Sequence, residues 1–272
     1  MAQALELSPE IIKLQEDIAV LEKELGKVIL EQDEMLNTVK PNLEAEYQKK
    51  IGYKELECME TEITARRYKR QIELIQAAVN RQESIKEKEI EQQLDDEFQK
   101  WHEKIKQQYQ KAKAAEDWLN SLMSDEENAE FTTLYRQLVF KLHPDLNPNQ
   151  TKDEENLWHR VQLAYEGGDL EEMRSLAIIL DAQHETIELP SSKDVLQKRK
   201  EKLMEQIQKT INTMSELEQK FPFNIIGKLA DNDWVNTKIE EIQEQVNQWQ
   251  EKCKHYEDLI KVLLVNKSAG VN

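Results

Sequence analysis

The sequence predicts an all-α protein built largely from long helices, and three observations support that class. Charged residues make up 33% of the chain, against a usual share of about 25%. Only 6 Gly and 6 Pro occur in 272 residues, so residues that break helices are rare. Apolar residues recur at alternating spacings of three and four, which is typical of helices that pack through narrow seams. We therefore expect helix-on-helix packing and no sheet.

Residues 1–115 are predicted to form a long-helix coiled-coil region. Its first helix has a defined start, because Ser8 can cap free N–H groups and Pro9 suits the first helical position. One seam follows along this helix: Ile11, Leu14, Ile18, Leu21, Leu25 and Val28. Pro41 is predicted to end the helix in a tight turn, so that a second helix runs back along the first as an antiparallel hairpin. A further break between helices is expected in the polar stretch 81–89.

A second antiparallel coiled-coil hairpin is predicted over residues 191–265. Two apolar stripes, at 203–221 and 235–263, are expected to pack on each other. The apolar stretch 221–227 joins them, and we expect it either to tuck against the end of the hairpin or to act as a contact patch. Residues 266–272 are expected to form a disordered tail. Heptad seams also permit a homodimer, so the seams close either within one chain or between two.

Between these regions, residues 116–183 are predicted to form a domain of short helices. Ser124 and Glu127 have the spacing of a capping box, in which each side chain satisfies a free N–H of the first turn. The helix that begins there should stop at His143, because Pro144 disfavours helical conformation in the residue before it.

Two more short helices are predicted to follow. Thr151 and Glu154 repeat the capping-box spacing, and the helix they begin should end at the pair Gly167-Gly168. Asp169 then caps the next helix. The predicted domain therefore contains two adjacent short helices joined by a proline-containing loop, with a third helix behind them.

The stretch from Tyr135 to Asp145 reads Tyr-Arg-Gln-Leu-Val-Phe-Lys-Leu-His-Pro-Asp. It resembles helix II and the His-Pro-Asp signature loop of J-domains, the defining domains of DnaJ-like co-chaperones. The next helix also matches the aromatic, aliphatic and Ala-Tyr-Glu positions of the family's helix III: Trp158, Val161, Ala164, Tyr165 and Glu166. The chain as a whole resembles divergent J-domain proteins with flanking coiled coils.

This resemblance implies that the protein is a co-chaperone; we also expect it not to be an enzyme, because the sequence contains no Gly-rich phosphate loop, nucleophile elbow or paired-carboxylate signature. In the J-domain family, the loop and helix II dock on a DnaK-type heat-shock chaperone and stimulate its ATP hydrolysis. Asp145 would pair with an arginine of that partner, and basic residues would steer the domain toward an acidic partner surface. The coiled coils would recruit a client protein. The docking residues implied for this chain are His143, Pro144, Asp145, Tyr135, Arg136 and Lys141.

A coiled-coil structural or adaptor protein with a degenerate J-domain is the alternative interpretation. Helix II of the family is rich in Lys and Arg, whereas here Arg136 and Lys141 are offset by Glu127 and Glu130. The family's helix I is not recognisable in this chain.

Composition and motifs also argue against several other functions. A formal net charge of −17 disfavours binding to nucleic acid, and no local basic patch is visible in the sequence. No apolar run reaches the roughly 18 residues of a membrane span, and the first residues lack signal-peptide features, so we expect a cytoplasmic protein. Cys58 and Cys253 have no metal-ligand spacing. We expect no metal, no cofactor and no catalytic residue.

Overall fold

The computed structural model describes residues 8–120, 123–181 and 193–268, and these residues are helical almost throughout. No strand occurs among them. The predicted all-α class is confirmed. Within the same residues, no helix combines the length and the apolarity that crossing a membrane requires.

The first part of the chain is helical from Pro9 to Asn80. Ser8 caps its start as predicted, since its Oγ accepts a hydrogen bond from the Ile11 N–H at 3.4 Å. The helical segments follow in this order: α1 (Pro9–Glu34), a π-helical turn (Met35–Val39), α2 (Lys40–Tyr47), a second π-helical turn (Gln48–Gly52) and α3 (Tyr53–Asn80).

The predicted turn at Pro41 is wrong, because the backbone stays helical through it. Lys40 has φ −57° and ψ −55°, which are helical values. Its N–H bonds to the carbonyl of Met35, five residues back, in the π-helical turn. Such a widened turn relieves the clash that a proline ring makes with the carbonyl four residues before it. The N-terminal hairpin predicted at Pro41 therefore does not form.

An antiparallel hairpin does form further along, between α3 and α4 (Glu87–Asn120). The break expected within 81–89 is confirmed, since 81–86 connects the two helices. Two contacts show the antiparallel direction: Tyr53 Oη to Glu116 Oε2 at 3.2 Å and Arg67 Nη1 to Asp95 Oδ1 at 2.8 Å.

The chain divides into two compact units, and the first joins Met1–Pro41 with Ser121–Asn224. In this unit α8 (Lys193–Glu218) lies along α1. Two ion pairs show that the helices run parallel: Glu10 to Lys193 at 2.5 Å and Asp17 to Lys200 at 2.7 Å. The apolar seam of α1 is thus buried partly against Leu196, Leu203 and Ile207 of α8.

The second unit joins Asn42–Asn120 with Ile225–Asn272. In it α10 (Asn232–Ser268) lies along α3, again in parallel. One end of the contact contains Ile51 with Val235 and Ile242, and the other contains Ile72 and Ile75 with Ile260.

These pairings correct the hairpin predicted over 191–265. Leu203 and Ile207 of the first stripe pack with α1. Val235, Ile242 and Ile260 of the second stripe pack with α3, so each stripe has a different partner from the one predicted. The expected disordered tail is wrong for residues 266–268, because α10 continues to Ser268. Residues 269–272 lie outside the described residues.

The apolar stretch 221–227 contains a 3-10 turn (Phe223–Ile225) and the start of a short helix, α9 (Ile226–Ala230). Phe223 is buried, whereas Phe221 and Ile226 are 49% and 46% exposed. The stretch therefore tucks in part of its apolar surface and leaves the rest accessible.

Three short helices complete the first unit, as the sequence predicts: α5 (Asp125–Leu142), α6 (Lys152–Gly167) and α7 (Leu170–Asp181). α5 and α6 are antiparallel, because Tyr135 stacks on Tyr165 while His143 meets Trp158. All three helices share one core with α1 and α8.

Candidate partner-docking site

The loop between α5 and α6 is bounded by the local signals that the sequence predicts. Ser124 and Glu127 form the expected capping box at the start of α5, with Ser124 N–H to Glu127 Oε2 at 3.0 Å and Glu127 N–H to Ser124 Oγ at 3.3 Å. The helix stops at Leu142, because His143 is extended (φ −67°, ψ 131°) before Pro144.

The start and end of α6 are also confirmed. Thr151 N–H donates to Glu154 Oε2 at 2.7 Å, and Glu154 N–H donates to Thr151 Oγ1 at 3.3 Å. Gly168 ends the helix in the left-handed conformation, at φ 64°, which glycine adopts without strain. Asp169 caps α7 by accepting from the Glu172 N–H at 3.0 Å.

His143 holds the loop in shape. Its Nδ1 accepts a hydrogen bond from the Asp145 N–H at 3.1 Å, and its ring meets Trp158 edge-on, with 4.9 Å between centroids. Burial lowers the pKa of His143, against the opposing charge of Asp145. A neutral imidazole is required here, because a protonated Nδ1 could not accept that bond.

Asp145 lies half-buried beside α8, while Pro144 is exposed. Asp145 Oδ1 accepts a hydrogen bond from Gln206 Nε2 at 2.5 Å. The next carbonyl, that of Leu146, accepts from Arg199 Nη2 at 2.8 Å. Arg199 also pairs with Glu22 of α1 at 3.2 Å, so both long helices of the first unit brace the loop.

Tyr135, one of the implied docking residues, points into the first unit. It is 3% exposed, stacks on Tyr165 at 3.7 Å between centroids, and donates to Asp33 Oδ2 at 2.5 Å. Burial raises the pKa of Asp33, and the bond from Tyr135 partly offsets that rise. In this arrangement Tyr135 fixes α5 against α1 and offers a partner almost no surface.

Arg136 and Lys141 occupy different positions on α5. Arg136 is exposed, and Lys141 is half-buried in the last turn, where a positive charge is favourable for the helix dipole. The structure therefore brings His143, Pro144, Asp145 and Lys141 to one end of α5, with Arg136 about two turns back from the loop.

A groove of about 670 Å³ lies between α1 and α5. Its lining includes three cations, Lys23, Lys27 and Arg136, beside the aromatic side chains of Phe140 and Tyr165. No basic patch was expected from the sequence. The cluster escapes sequence analysis because more than 100 residues separate Arg136 from the two lysines.

No cluster of three or more His, Cys, Asp or Glu side chains suited to a metal ion occurs in the described parts of the chain. Both cysteines are free thiols. Burial raises the pKa of Cys58 and also that of Cys253, which disfavours the reactive thiolate form.

Compared with known proteins, the chain matches no family model, no curated protein and no solved structure.

Proposed function

We propose that this protein is a cytoplasmic co-chaperone that docks on a DnaK-type heat-shock chaperone through the loop His143-Pro144-Asp145 and stimulates its ATP hydrolysis. The observation that carries the proposal is the geometry of that loop. It connects two antiparallel helices and presents an exposed Pro144. His143 and Arg199 hold the backbone of the loop at Asp145 and Leu146, and Gln206 donates to the Asp145 carboxylate.

The chemistry of such docking depends on a loop backbone that presents its carboxylate before the partner arrives. An arginine of the chaperone would form charge-assisted hydrogen bonds with Asp145, which are stronger than neutral ones. Because the loop is braced before binding, little conformational entropy is lost when the partner arrives. Arg136 and Lys141 would add favourable charge toward an acidic partner surface.

The long helices would supply the second half of the activity, which is to bring a client protein to the chaperone. Exposed apolar side chains on α10 offer such a contact, since Val262 is 53% exposed and Leu259 is 38% exposed.

The proposal is tested by the ATPase rate of the chaperone with and without this protein. The wild type is expected to accelerate hydrolysis, and His143→Gln is expected to remove most of the acceleration. His159→Gln is a matched control, because the same substitution is made at an exposed histidine of α6 in the same unit. Equal stimulation by all three proteins, or stimulation by none, contradicts the proposal.

The alternative function, a structural or adaptor protein with a degenerate J-domain, is favoured by one observation. Tyr135 and Asp145 are both already engaged within the chain, by Asp33 and Gln206. An adaptor of this kind would leave the ATPase rate unchanged and would self-associate through its apolar seams, which sedimentation over a range of concentrations would show.

A further inference from the structure

Arg136 differs from every other arginine of the chain. All eight arginines lie in described parts of the structure, and seven of them pair with a carboxylate: Arg66, Arg67, Arg70, Arg81, Arg160, Arg174 and Arg199. Arg136 forms no ion pair with any described residue and is exposed. The charge of Arg136 is therefore not offset by direct contact with a described carboxylate and is accessible to a partner.

Two lysines of α1 line the same groove. Lys23 and Lys27 are one helical turn apart, both are exposed, and neither pairs with a carboxylate among the described residues. Like charges four residues apart on a helix repel each other by a few tenths of a kcal/mol. An acidic partner would relieve this repulsion, because neither lysine has a carboxylate in direct contact among the described residues.

The packing of Phe140 on Gly26 holds these cations beside one another. A Cβ at Gly26 would overlap the Phe140 ring, so glycine is what allows α5 to come this close to α1. Gly26 lies between the two lysines in sequence, and Phe140 lies one helical turn beyond Arg136. The three charges are therefore set on two helices in direct contact.

We infer that Lys23 and Lys27 complete, together with Arg136, a composite cationic surface that binds an acidic segment of a partner protein. The inference rests on the proposed function, in which that partner is the DnaK-type chaperone. α5 carries fewer basic residues than helix II of J-domains, and α1 supplies the missing positive charge from a distant part of the sequence.

The lining of the groove argues for a protein segment over a nucleic acid. Leu30 and Phe140 give the groove an apolar part. This part suits an apolar side chain that stands between acidic residues in the partner's segment. Glu31 and Glu34 also line the groove and would repel a continuous phosphate backbone. A short acidic stretch that also carries an apolar side chain would contact the cations and the apolar lining together.

The test is the affinity for the ATP-bound chaperone, measured in low salt and again in high salt. The double variant Lys23→Glu/Lys27→Glu is expected to bind about tenfold more weakly in low salt, with a smaller loss in high salt because ions screen exposed charges. The matched control is Lys198→Glu/Lys202→Glu on α8, which changes two exposed lysines at the same spacing and should bind like the wild type.

A second variant tests whether misfolding, and not lost charge, causes the weaker binding. Arg136→Gln removes the third charge without reversing it and is expected to give a smaller loss in the same direction. Equal affinities of the two double variants overturn the inference, whether both are weakened or neither is. If the wild type binds, His143→Gln does not, and the two double variants bind equally, the proposed function stands while the groove inference fails alone. If the wild type does not bind the chaperone at all, both fail.

Discussion

Gln206 Nε2 lies 2.5 Å from Asp145 Oδ1 and donates a hydrogen bond to it across 61 residues of sequence. The bond joins α8 to the loop between α5 and α6. It uses one acceptor position of the carboxylate that the proposed function assigns to the chaperone. The helix that braces the loop therefore also competes with the partner for Asp145.

Removing this bond should strengthen docking. Gln206→Ala frees Asp145 Oδ1, and since a hydrogen bond contributes about 1 kcal/mol net, we expect about fivefold tighter binding to the ATP-bound chaperone. Gln208→Ala is the control, because Gln208 is exposed on α8 and bonds only within that helix, to Asn212. Weaker binding by Gln206→Ala would show that the bond positions Asp145 for the partner and does not compete with it.

Tyr135→Phe should destabilise the first unit. The substitution removes the donor to Asp33 and leaves a largely buried carboxylate without that bond, which costs about 1–3 kcal/mol. The effect can be measured by urea unfolding, followed through a signal from this unit.

The loss of stability caused by Tyr135→Phe should depend on pH. Burial raises the pKa of Asp33 above the ordinary range of an aspartate. In the interval between the ordinary and the raised value the folded state holds more protons than the unfolded state, so stability falls as the pH rises. Without Tyr135 Oη the pKa rises further, so the loss should be larger at neutral than at acidic pH. An equal loss at both pH values, or a pH dependence that survives in an Asp33→Asn background, contradicts this account.

His143 should make the first unit less stable in mild acid. Its pKa is lowered by burial, so the unfolded state binds the proton first and stability falls as the pH drops below about 6.5, the ordinary histidine value. His143→Gln should lose this part of the pH dependence, whereas His159→Gln should retain it. Unfolding free energies at neutral and mildly acidic pH test this, and identical slopes for the wild type and His143→Gln contradict it.

The effect of Gly26→Ala on stability should change sign with the residue at position 140. In the wild type the new Cβ meets the Phe140 ring, so we expect a loss of stability. A Phe140→Ala background removes the three atoms nearest that Cβ, and there the higher helix propensity of alanine should stabilise by about 0.5–1 kcal/mol. Destabilisation by Gly26→Ala in both backgrounds would mean that another neighbour restricts this position.

Much of α5, α6 and their loop could be predicted from the sequence because the signals are local. The bonds of Ser124 with Glu127 and of Thr151 with Glu154 each span three residues. The stop before Pro144 and the left-handed Gly168 depend only on the backbone of adjacent residues. Such interactions do not depend on which distant helix packs nearby.

Helix pairing could not be predicted, because an apolar stripe with spacing of three and four fits several partners equally well. The stripe of α1 packs on α8, from which it is separated by about 180 residues, and nothing in either stripe specifies that choice. The turn predicted at Pro41 is wrong for a different reason, because the π-helical turn at Met35–Val39 accommodates the proline within a helix. The bracing of Asp145 by Gln206 depends on the same long-range pairing.

The most direct measurement is single-turnover ATP hydrolysis by the chaperone in the presence of Asp145→Asn. Asparagine keeps the Oδ1 that accepts from Gln206 but removes the charge, so the fold of the loop should persist while the pairing with a partner arginine weakens. We predict that Asp145→Asn loses at least about tenfold of the stimulation, while the control Asp153→Asn, at an exposed position of α6, stimulates like the wild type. Stimulation by Asp145→Asn equal to that of the wild type would contradict the proposal that this loop acts on a DnaK-type chaperone.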